Sequence, residues 1–227
     1  MSFSQQALSA NAGQRRKMVE EQLVVRGIED ARVLEAMRKV PRHLFVEESL
    51  GHRAYGDHPL PIGENQTISQ PYIVAVMSEA LQLKGDERVL EIGTGCGFQS
   101  AILAELASQV FTIERLSVLS RKARHLLNRL GYSNINFKVF DGSYGWRDQS
   151  PYEGIVITAG APDIPTALVD QLTDGGKIVI PIGNMDSQQL VVATNKGGKL
   201  TREVIGDCKF VPMVGKSGLT GSGPGLM

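Results

Sequence analysis

Three glycines follow an apolar segment at a spacing that suits a ligand-binding turn. The run VLEIGTGCGF places Gly93, Gly95 and Gly97 between a predicted strand and a predicted helix. Glycines there permit a tight turn and let a ligand approach the backbone near the positive end of the helix. The spacing is G-x-G-x-G, whereas dinucleotide-binding proteins carry G-x-G-x-x-G, and no Lys-Ser/Thr pair makes it a phosphate loop. Alone, the turn fits either a ligand site or a merely structural connection.

The next two predicted strands end in acidic residues. Glu114 closes the second strand, and Asp141 with Gly142 closes the third. A carboxylate at the first position can accept hydrogen bonds from both hydroxyls of a ribose. Asp141 could receive an adenine amino group, and Gly142 would leave room for the ring. Strand ends also carry Asp or Glu as helix caps, but three consecutive strand ends of this kind together predict a nucleoside ligand.

Glu91, which precedes the glycine turn, helps to distinguish between nucleosides. The turn contains no Lys or Arg, and an acid beside it would repel a pyrophosphate but suit a cationic amino-acid end. S-adenosylmethionine has both a ribose and such an end. The residues therefore favour a methyltransferase over a dehydrogenase.

Alternating strands and helices predict the sheet that would carry these strand ends. Five strands are expected at 88–92, 109–114, 135–142, 152–160 and 175–183, with helices at 99–107, 116–131 and 164–172. This alternation is typical of a parallel sheet with helices on both faces. Near the end of the chain, two strands around the turn NKGG and a third in CKFVPMV predict an antiparallel edge.

The first third of the chain has a different pattern. Helices are expected over 14–39, with a break at RGIED, and over 72–83 after Pro71. Between them, PLPIGENQTISQPY is rich in proline and polar residues, which predicts a loop. Ile62 and Ile68 would pin that loop to the body of the protein. Residues 1–13 and 217–227 are expected to be flexible.

Composition narrows the range of partners. Lys+Arg 24 balance Asp+Glu 24 in 227 residues, and 42% are hydrophobic. This charge balance gives no reason to expect a nucleic-acid or membrane partner, and RKARHLLNR is interpreted as the solvated face of a helix. The start of the sequence lacks an apolar signal core, and no apolar run approaches the roughly 20 residues of a membrane span. Neither the two cysteines nor the histidines have metal-ligand spacing. We expect a cytoplasmic monomer without a metal.

At this point the sequence resembles the protein-L-isoaspartate (D-aspartate) O-methyltransferase family, from about Met18 to Val214. The specific block is LPIG-x-x-QTIS-x-P, because the glycine and acid blocks are generic to S-adenosylmethionine enzymes. The other matching blocks are VPRHLFV, VLEIGTGCGFQSAILAEL, DGSYGW, PYEGIVITAGAP, LTDGGKIVIPIG and FVPMV. The resemblance implies an α/β class I methyltransferase fold, Rossmann-like, with a mostly parallel seven-stranded sheet, antiparallel C-terminal strands and an N-terminal helical extension.

The resemblance also implies one methyltransferase domain over 1–227. Residues 14–83 would form the N-terminal helices and the substrate loop, 84–214 the cofactor-binding core, and 215–227 a flexible tail.

The implied reaction is methyl transfer from S-adenosylmethionine to the free carboxyl of L-isoaspartyl and D-aspartyl residues in damaged proteins and peptides. S-adenosylhomocysteine would be released, and the methyl ester would collapse to a succinimide. The family's active-site serine falls on Ser69 and its neighbouring threonine on Thr67. The implied cofactor-binding positions are Glu91, Gly93, Thr94, Gly95, Gly97, Glu114, Asp141 and Gly142. A carboxylate is already ionised at neutral pH, so no general base is required.

Some positions depart from the family pattern, and other interpretations stay open. Cys96 stands where Ser is common, Phe98 where Tyr is common, and Tyr72 where some members carry His; none of these changes removes an expected ligand. Ser69 could instead be a helix N-cap or a turn residue. A class I methyltransferase with another target, or a binding protein that keeps the nucleoside pocket without turnover, would also fit the generic blocks.

Overall fold

The N-terminal helices have the break that the sequence predicts. The computed structural model describes residues 10–218, so the expectations for the two chain ends lie mostly outside the described residues. Helix α1 (Ala12–Met18) continues through a π-helical turn and a 3₁₀ turn to Arg26. Gly27 then adopts a left-handed φ of 89°, and helix α2 (Ala31–Lys39) begins after Asp30, whose carboxylate accepts hydrogen bonds from the first turn. This capping acid fixes the start of α2.

The polar segment PLPIGENQTISQPY contains a β-hairpin, so the prediction of a loop was wrong. Strand β1 (Leu60–Gly63) pairs antiparallel with β2 (Gln66–Ile68). The connecting residues Glu64 and Asn65 have φ angles of 51° and 55°, the backbone of a type I′ turn, whose twist matches that of paired strands. Ile62 and Ile68 are buried, as expected. The hairpin is thereby fixed against the body of the protein.

A seven-stranded sheet forms the centre of the molecule. Its strands are β3 (Arg88–Ile92), β4 (Gln109–Glu114), β5 (Ile135–Val139), β6 (Tyr152–Ile157), β7 (Leu172–Gly183), β8 (Gln188–Lys196) and β9 (Lys199–Cys208). Their order in the sheet is β5-β4-β3-β6-β7-β8-β9. Strands β3 to β7 are parallel, β8 pairs antiparallel with β7, and β9 pairs antiparallel with β8. The helices that accompany them are α3 (Pro71–Ala80), α4 (Phe98–Leu106), α5 (Ser117–Arg129) and α6 (Thr166–Val169). From β3, the chain first adds β4 and β5 on one side of the sheet and then adds β6 and β7 on the other side. This change in strand order opens a crevice at the carboxyl ends of β3, β4 and β6.

Two further predicted elements differ from the structure. The predicted third antiparallel strand in CKFVPMV is wrong, because β9 ends at Cys208 and the following segment pairs only with Gly160. Pro212 lacks the N–H that a strand at this position would donate. Helix α6 is also shorter than expected, and β7 begins at Leu172. The extended segment after β9 therefore crosses the carboxyl edge of the sheet instead of extending it.

Apolar side chains fill both faces of the sheet. On one face, Met18, Leu23 and Met37 of the N-terminal helices belong to the same buried cluster as Val89 of β3 and Ile102 of α4. A second cluster on the opposite face includes Tyr152 and Leu168. Since the N-terminal helices share a core with the sheet, the hairpin that follows them is held at a fixed place above the crevice.

Candidate active site

The glycine turn between β3 and α4 is held by Thr158, which directly follows β6. The hydroxyl of Thr158 donates to the carbonyls of Ile92 and Gly93, at 3.0 and 2.7 Å. Gly93 has a φ of 98°, and a Cβ there would lie 2.3 Å from the Thr158 Oγ1 atom. Gly97 has a φ of 90°, and a Cβ there would lie 2.8 Å from Leu127 on α5. Both positions therefore require glycine, and the backbone of the turn remains open toward the crevice.

Glu114 joins the end of β4 to this turn. Its Oε2 atom accepts a hydrogen bond from the N–H of Gly95, and its Oε1 atom accepts one from the N–H of Leu116, both at 2.9 Å. The side chain is buried, although it borders the crevice. A carboxylate oxygen can accept more than one hydrogen bond. Glu114 is therefore oriented by the backbone and retains acceptor capacity for two hydroxyl groups of a ligand.

Asp141 lies beside the crevice, just after β5. Its carboxylate accepts hydrogen bonds from the N–H and the hydroxyl of Ser143 and from the N–H of Lys216. Partial burial raises the pKa of Asp141, but these hydrogen bonds and the charge of Arg115 together bring it below its ordinary value. Asp141 is thus ionised at neutral pH, and the following Gly142 lines the crevice itself.

Glu91 lies beneath the glycine turn, outside the wall of the crevice. It is fully buried, and its Oε2 atom accepts hydrogen bonds from Ser100 and Thr112. Thr112 in turn shares a 2.6 Å hydrogen bond with the Thr94 hydroxyl. Burial raises the pKa of Glu91 to about 8. Its link to the turn runs through Thr112 and Thr94, and a role toward the cofactor stays a prediction.

The hairpin places Thr67 and Ser69 on the opposite side of the same crevice. Within residues 10–218, neither hydroxyl makes a hydrogen bond, and Ser69 is half-buried. The N-cap of α3 is Gln70, without a side-chain capping bond. Ser69 is therefore not the helix cap, and both hydroxyls are free to bind a ligand.

One cavity joins these parts, and the structure places most of the predicted site residues in its wall. Gly97, Asp141 and Glu91 lie just behind it. The predicted residues that line it are Thr67, Ser69, Gly93, Thr94, Gly95, Glu114 and Gly142. Sequence reasoning missed several others, which are Gln66, Gln99, Arg115, Thr158 and Val211–Val214. Thr158 could have been found, because it follows a fourth parallel strand at the same edge of the sheet.

Other kinds of chemistry find little support in the described part of the chain. Residues 10–218 hold no group of three or more His, Cys, Asp or Glu side chains placed to share a metal ion. Over the same range, no helix is both long and apolar enough to cross a bilayer. Cys96 lines the cavity, but burial raises the pKa of its thiol to about 11. A protonated thiol is a poor nucleophile, which supports a packing role.

Comparison with known proteins gives a consistent result over nearly the whole chain. A protein from Syntrophus aciditrophicus, named protein-L-isoaspartate O-methyltransferase, is 53% identical over 211 residues, covering 92% of this chain and 97% of its own length. A protein of the same name from Geobacter metallireducens is 55% identical over 205 residues, covering 90% of this chain and 95% of its own length.

Solved structures agree with these sequence relatives. A protein-L-isoaspartate O-methyltransferase matches with a TM-score of 0.81 and 28% identity, over 89% of this chain and 67% of its own. A candidate enzyme of the same name from Plasmodium falciparum, solved with S-adenosyl-L-homocysteine, matches with a TM-score of 0.76 and 25% identity, over 88% of this chain and 98% of its own.

The family model supports the same assignment. The model described as protein-L-isoaspartate(D-aspartate) O-methyltransferase matches residues 13–218, the range that contains the hairpin, the glycine turn and the segment after β9. The chain therefore belongs to the protein-L-isoaspartate(D-aspartate) O-methyltransferase family.

Proposed function

We propose that this chain repairs damaged proteins and peptides by transferring a methyl group from S-adenosylmethionine to the free carboxyl of L-isoaspartyl and D-aspartyl residues. One observation carries the assignment of roles. The free hydroxyls of Thr67 and Ser69 line the same cavity as the glycine turn and Glu114. A carboxylate held by these hydroxyls would therefore lie next to a cofactor held by the turn.

The residues around the glycine turn fit S-adenosylmethionine. Glu114 offers acceptor capacity suited to ribose hydroxyls. Gly142 lines the cavity and packs against Ile92, where a Cβ would lie 2.3 Å from the Ile92 Cγ2 atom. The turn lies at the N-terminus of α4, which favours an anionic group such as a carboxylate. The cofactor, when bound, supplies an electrophilic methyl group on a sulfonium sulfur. Gly93, Thr94, Gly95 and Glu114 would hold it, with Gly97, Asp141 and Glu91 supporting them from behind.

The protein itself has to supply position and the exclusion of water. The attacking carboxylate is already ionised at neutral pH, which agrees with the absence of a paired general base at Ser69 within the described residues. Ser69 and Thr67 would each donate a hydrogen bond to one carboxylate oxygen. A neutral donor leaves more electron density on the nucleophile than a direct ion pair would. Alignment of reacting groups can contribute about 7–11 kcal/mol to lowering a barrier.

The consequence for the substrate follows from ordinary ester chemistry. The carbonyl of a methyl ester is more electrophilic than that of a carboxylate and carries a better leaving group. The next backbone nitrogen of the substrate can therefore attack it and release methanol, which closes a five-membered succinimide without the enzyme. Hydrolysis of that ring returns some normal aspartate.

The deciding experiment compares two peptides that differ only in one linkage. One carries an L-isoaspartyl residue and the other an L-aspartyl residue, and both are incubated with methyl-labelled S-adenosylmethionine. We expect base-labile label on the isoaspartyl peptide alone. Label on neither peptide, while S-adenosylhomocysteine still binds, would indicate a binding protein without turnover. Label on both would indicate a methyltransferase with another target.

Three broader proposals concern the whole chain. We propose one methyltransferase domain over 1–227, with helices and substrate loop at 14–83, the cofactor-binding core at 84–214 and a tail at 215–227; the shared core of the N-terminal helices and the sheet supports this. We propose that a monomer is active, since the turn, the acids and the hairpin of the cavity come from one chain. The free thiols of Cys96 and Cys208 support a cytoplasmic location.

A further inference from the structure

Arg42 is a buried cation directly beneath the segment that carries Ser69. Its side chain is 0% exposed. The Nε atom donates to the carbonyl of Ala54 and the Nη2 atom donates to the carbonyl of Ser69, both at 2.7 Å. The guanidinium carbon lies 4.9 Å from the centre of the Phe98 ring. Arg42 therefore clamps the backbone on which the Ser69 hydroxyl is mounted.

This cation has no anionic partner among residues 10–218. An ion pair would require a carboxylate near the guanidinium, and Arg42 is in none of the ion pairs of that range. Its third nitrogen, Nη1, is buried and has no hydrogen-bond partner in the same range. Burial lowers the pKa of Arg42 to about 10, so the group is still charged at neutral pH. A buried charge without a counter-ion is destabilising. An unpaired arginine at this position therefore suggests that an anionic ligand supplies the counter-charge.

The charge lies next to the cavity without being part of its wall. Ser69 and Phe98, which contact Arg42, both line the cavity. Cys96, which also lines it, lies close enough for the positive charge of Arg42 to oppose the rise in its pKa. The positive potential of Arg42 therefore reaches the part of the cavity between the hairpin and the start of α4.

We propose that Arg42 is a positioning residue for the methyl-transfer reaction. It fixes the backbone of Ser69, and its charge is balanced by the carboxylate of the substrate when that group enters the cavity. The proposal rests on the proposed function, because it takes Ser69 as the carboxylate donor. A cation one layer behind the hydroxyl attracts the carboxylate without bonding to the attacking oxygen.

The chain offers a matched control in Arg32. Its guanidinium also bridges two carbonyls, donating to Leu83 and Leu106 at 2.7 Å each, but none of these residues lines the cavity. Hydrogen bonds that involve a charged group contribute more free energy than neutral ones do. We therefore expect Arg42→Lys to raise KM for an isoaspartyl peptide by about tenfold or more. The Kd for S-adenosylhomocysteine should be unchanged. Arg32→Lys should leave KM unchanged even if both variants lose similar thermal stability.

A second measurement tests the effect of the positive charge of Arg42 on binding of the substrate carboxylate. Binding of an isoaspartyl peptide and of its neutral isoasparaginyl analogue is measured by calorimetry, with S-adenosylhomocysteine present. We expect Arg42→Met to reduce the preference for the carboxylate by about tenfold or more relative to wild type, while Arg42→Lys retains part of it and Arg32→Met retains all of it.

The outcomes separate this proposal from the one on which it rests. An unchanged carboxylate preference in Arg42→Met, or equal KM values in Arg42→Lys and Arg32→Lys, would overturn the role of Arg42. If Arg42→Met does not fold, the KM of Arg42→Lys decides the question. A wild-type protein that methylates neither test peptide would instead refute the proposed function.

Discussion

The hydroxyl of Ser69 has no hydrogen-bond partner within residues 10–218, although the residue is half-buried beside the cavity. Removing it therefore orphans no other described group. We expect Ser69→Ala to keep its melting temperature and its affinity for S-adenosylhomocysteine. Because a hydrogen bond to a charged group contributes about 1.5–3 kcal/mol, kcat/KM for an isoaspartyl peptide should fall by about ten- to a hundredfold. Steady-state kinetics with the labelled donor measure this.

The control for that substitution is Ser133→Ala, at an exposed position before β5 whose hydroxyl, like that of Ser69, has no hydrogen-bond partner within residues 10–218. It removes a hydroxyl of the same size away from the cavity and should leave kcat/KM unchanged. A folded Ser69→Ala protein that binds the cofactor product and methylates at the wild-type rate would remove Ser69 from the mechanism.

The buried carboxyl of Glu91 makes stability depend on pH. Burial raises its pKa from 4.5 to about 8, against the opposing hydrogen bonds from Ser100 and Thr112, and the charge of Glu114 adds to the rise. Between these two values the folded state keeps a proton that the unfolded state has released. The contribution of Glu91 to stability therefore falls as pH rises from about 4.5 to about 8, and is constant above.

Glu91→Gln removes this ionisation. We expect the melting temperature of the variant to fall less than that of wild type between about pH 5.5 and about pH 9. Glu35→Gln, which changes an exposed carboxylate on α2, should follow wild type. Parallel melting curves for Glu91→Gln and wild type across this range would contradict a raised pKa.

Among the elements, the parallel strands were predictable and the hairpin was not. The strands Arg88–Ile92 and Gln109–Glu114 have the predicted bounds, because buried parallel strands are continuous apolar runs. Strand β2 is only three residues long and has a partly polar face. The burial of Ile62 and Ile68 was predicted, but the pairing also depends on the left-handed residues Glu64 and Asn65, which local composition does not reveal. The segment after β9 is similar, since its single bridge depends on the position of Gly160.

The turn of the hairpin leads to a prediction about stability. Glu64 has a φ of 51°, a conformation that costs most L-residues about 1–2 kcal/mol. Replacement by glycine relieves this strain but increases the entropy of the unfolded chain. We expect Glu64→Gly to stabilise the protein by up to about 1 kcal/mol, without changing KM, since Glu64 does not line the cavity. Denaturant unfolding measures the change.

The same substitution in a helix should have the opposite sign. Glu35 lies in the interior of α2 and is exposed, so Glu35→Gly should destabilise the protein by about 1 kcal/mol. If both substitutions destabilise the protein equally, the left-handed conformation at Glu64 is not a source of strain.

For the molecule as a whole, the sequence predicted which strand ends meet at one edge of the sheet. It did not predict how the N-terminal segments and the hairpin pack over that edge. The glycine turn, Glu114 and Gly142 gather at one edge because parallel strands align their carboxyl ends. Arg42 and Gln99 were missed because their roles depend on neighbours far along the chain, such as the Ser69 carbonyl and the Ser78 hydroxyl. No local pattern indicates such partners. Family resemblance supplied the role of Ser69, which its local sequence alone left open.

The cavity is built from segments that lie far apart in sequence, and this predicts how a ligand affects the backbone. The segment after β9 is held by Gly160, whose N–H donates to Val211 and whose carbonyl accepts from Met213, and by the bond from Lys216 to Asp141. A ligand that binds the folded state stabilises it, by about 2.7 kcal/mol at a hundredfold excess over Kd. Local opening of the segments that touch the ligand should be suppressed most.

Hydrogen exchange can measure this pattern. With S-adenosylhomocysteine we expect slower exchange in 93–97 and 211–216, which flank the cofactor part of the cavity. The hairpin of β8 and β9 lies at the far edge of the sheet and provides the internal reference. Residues 66–69 should become fully protected only when an isoaspartyl peptide is added, because the hydroxyls of Thr67 and Ser69 bind the carboxylate in the proposed mechanism. Equal protection of β9 and the glycine turn would contradict the expected local stabilisation around the cavity.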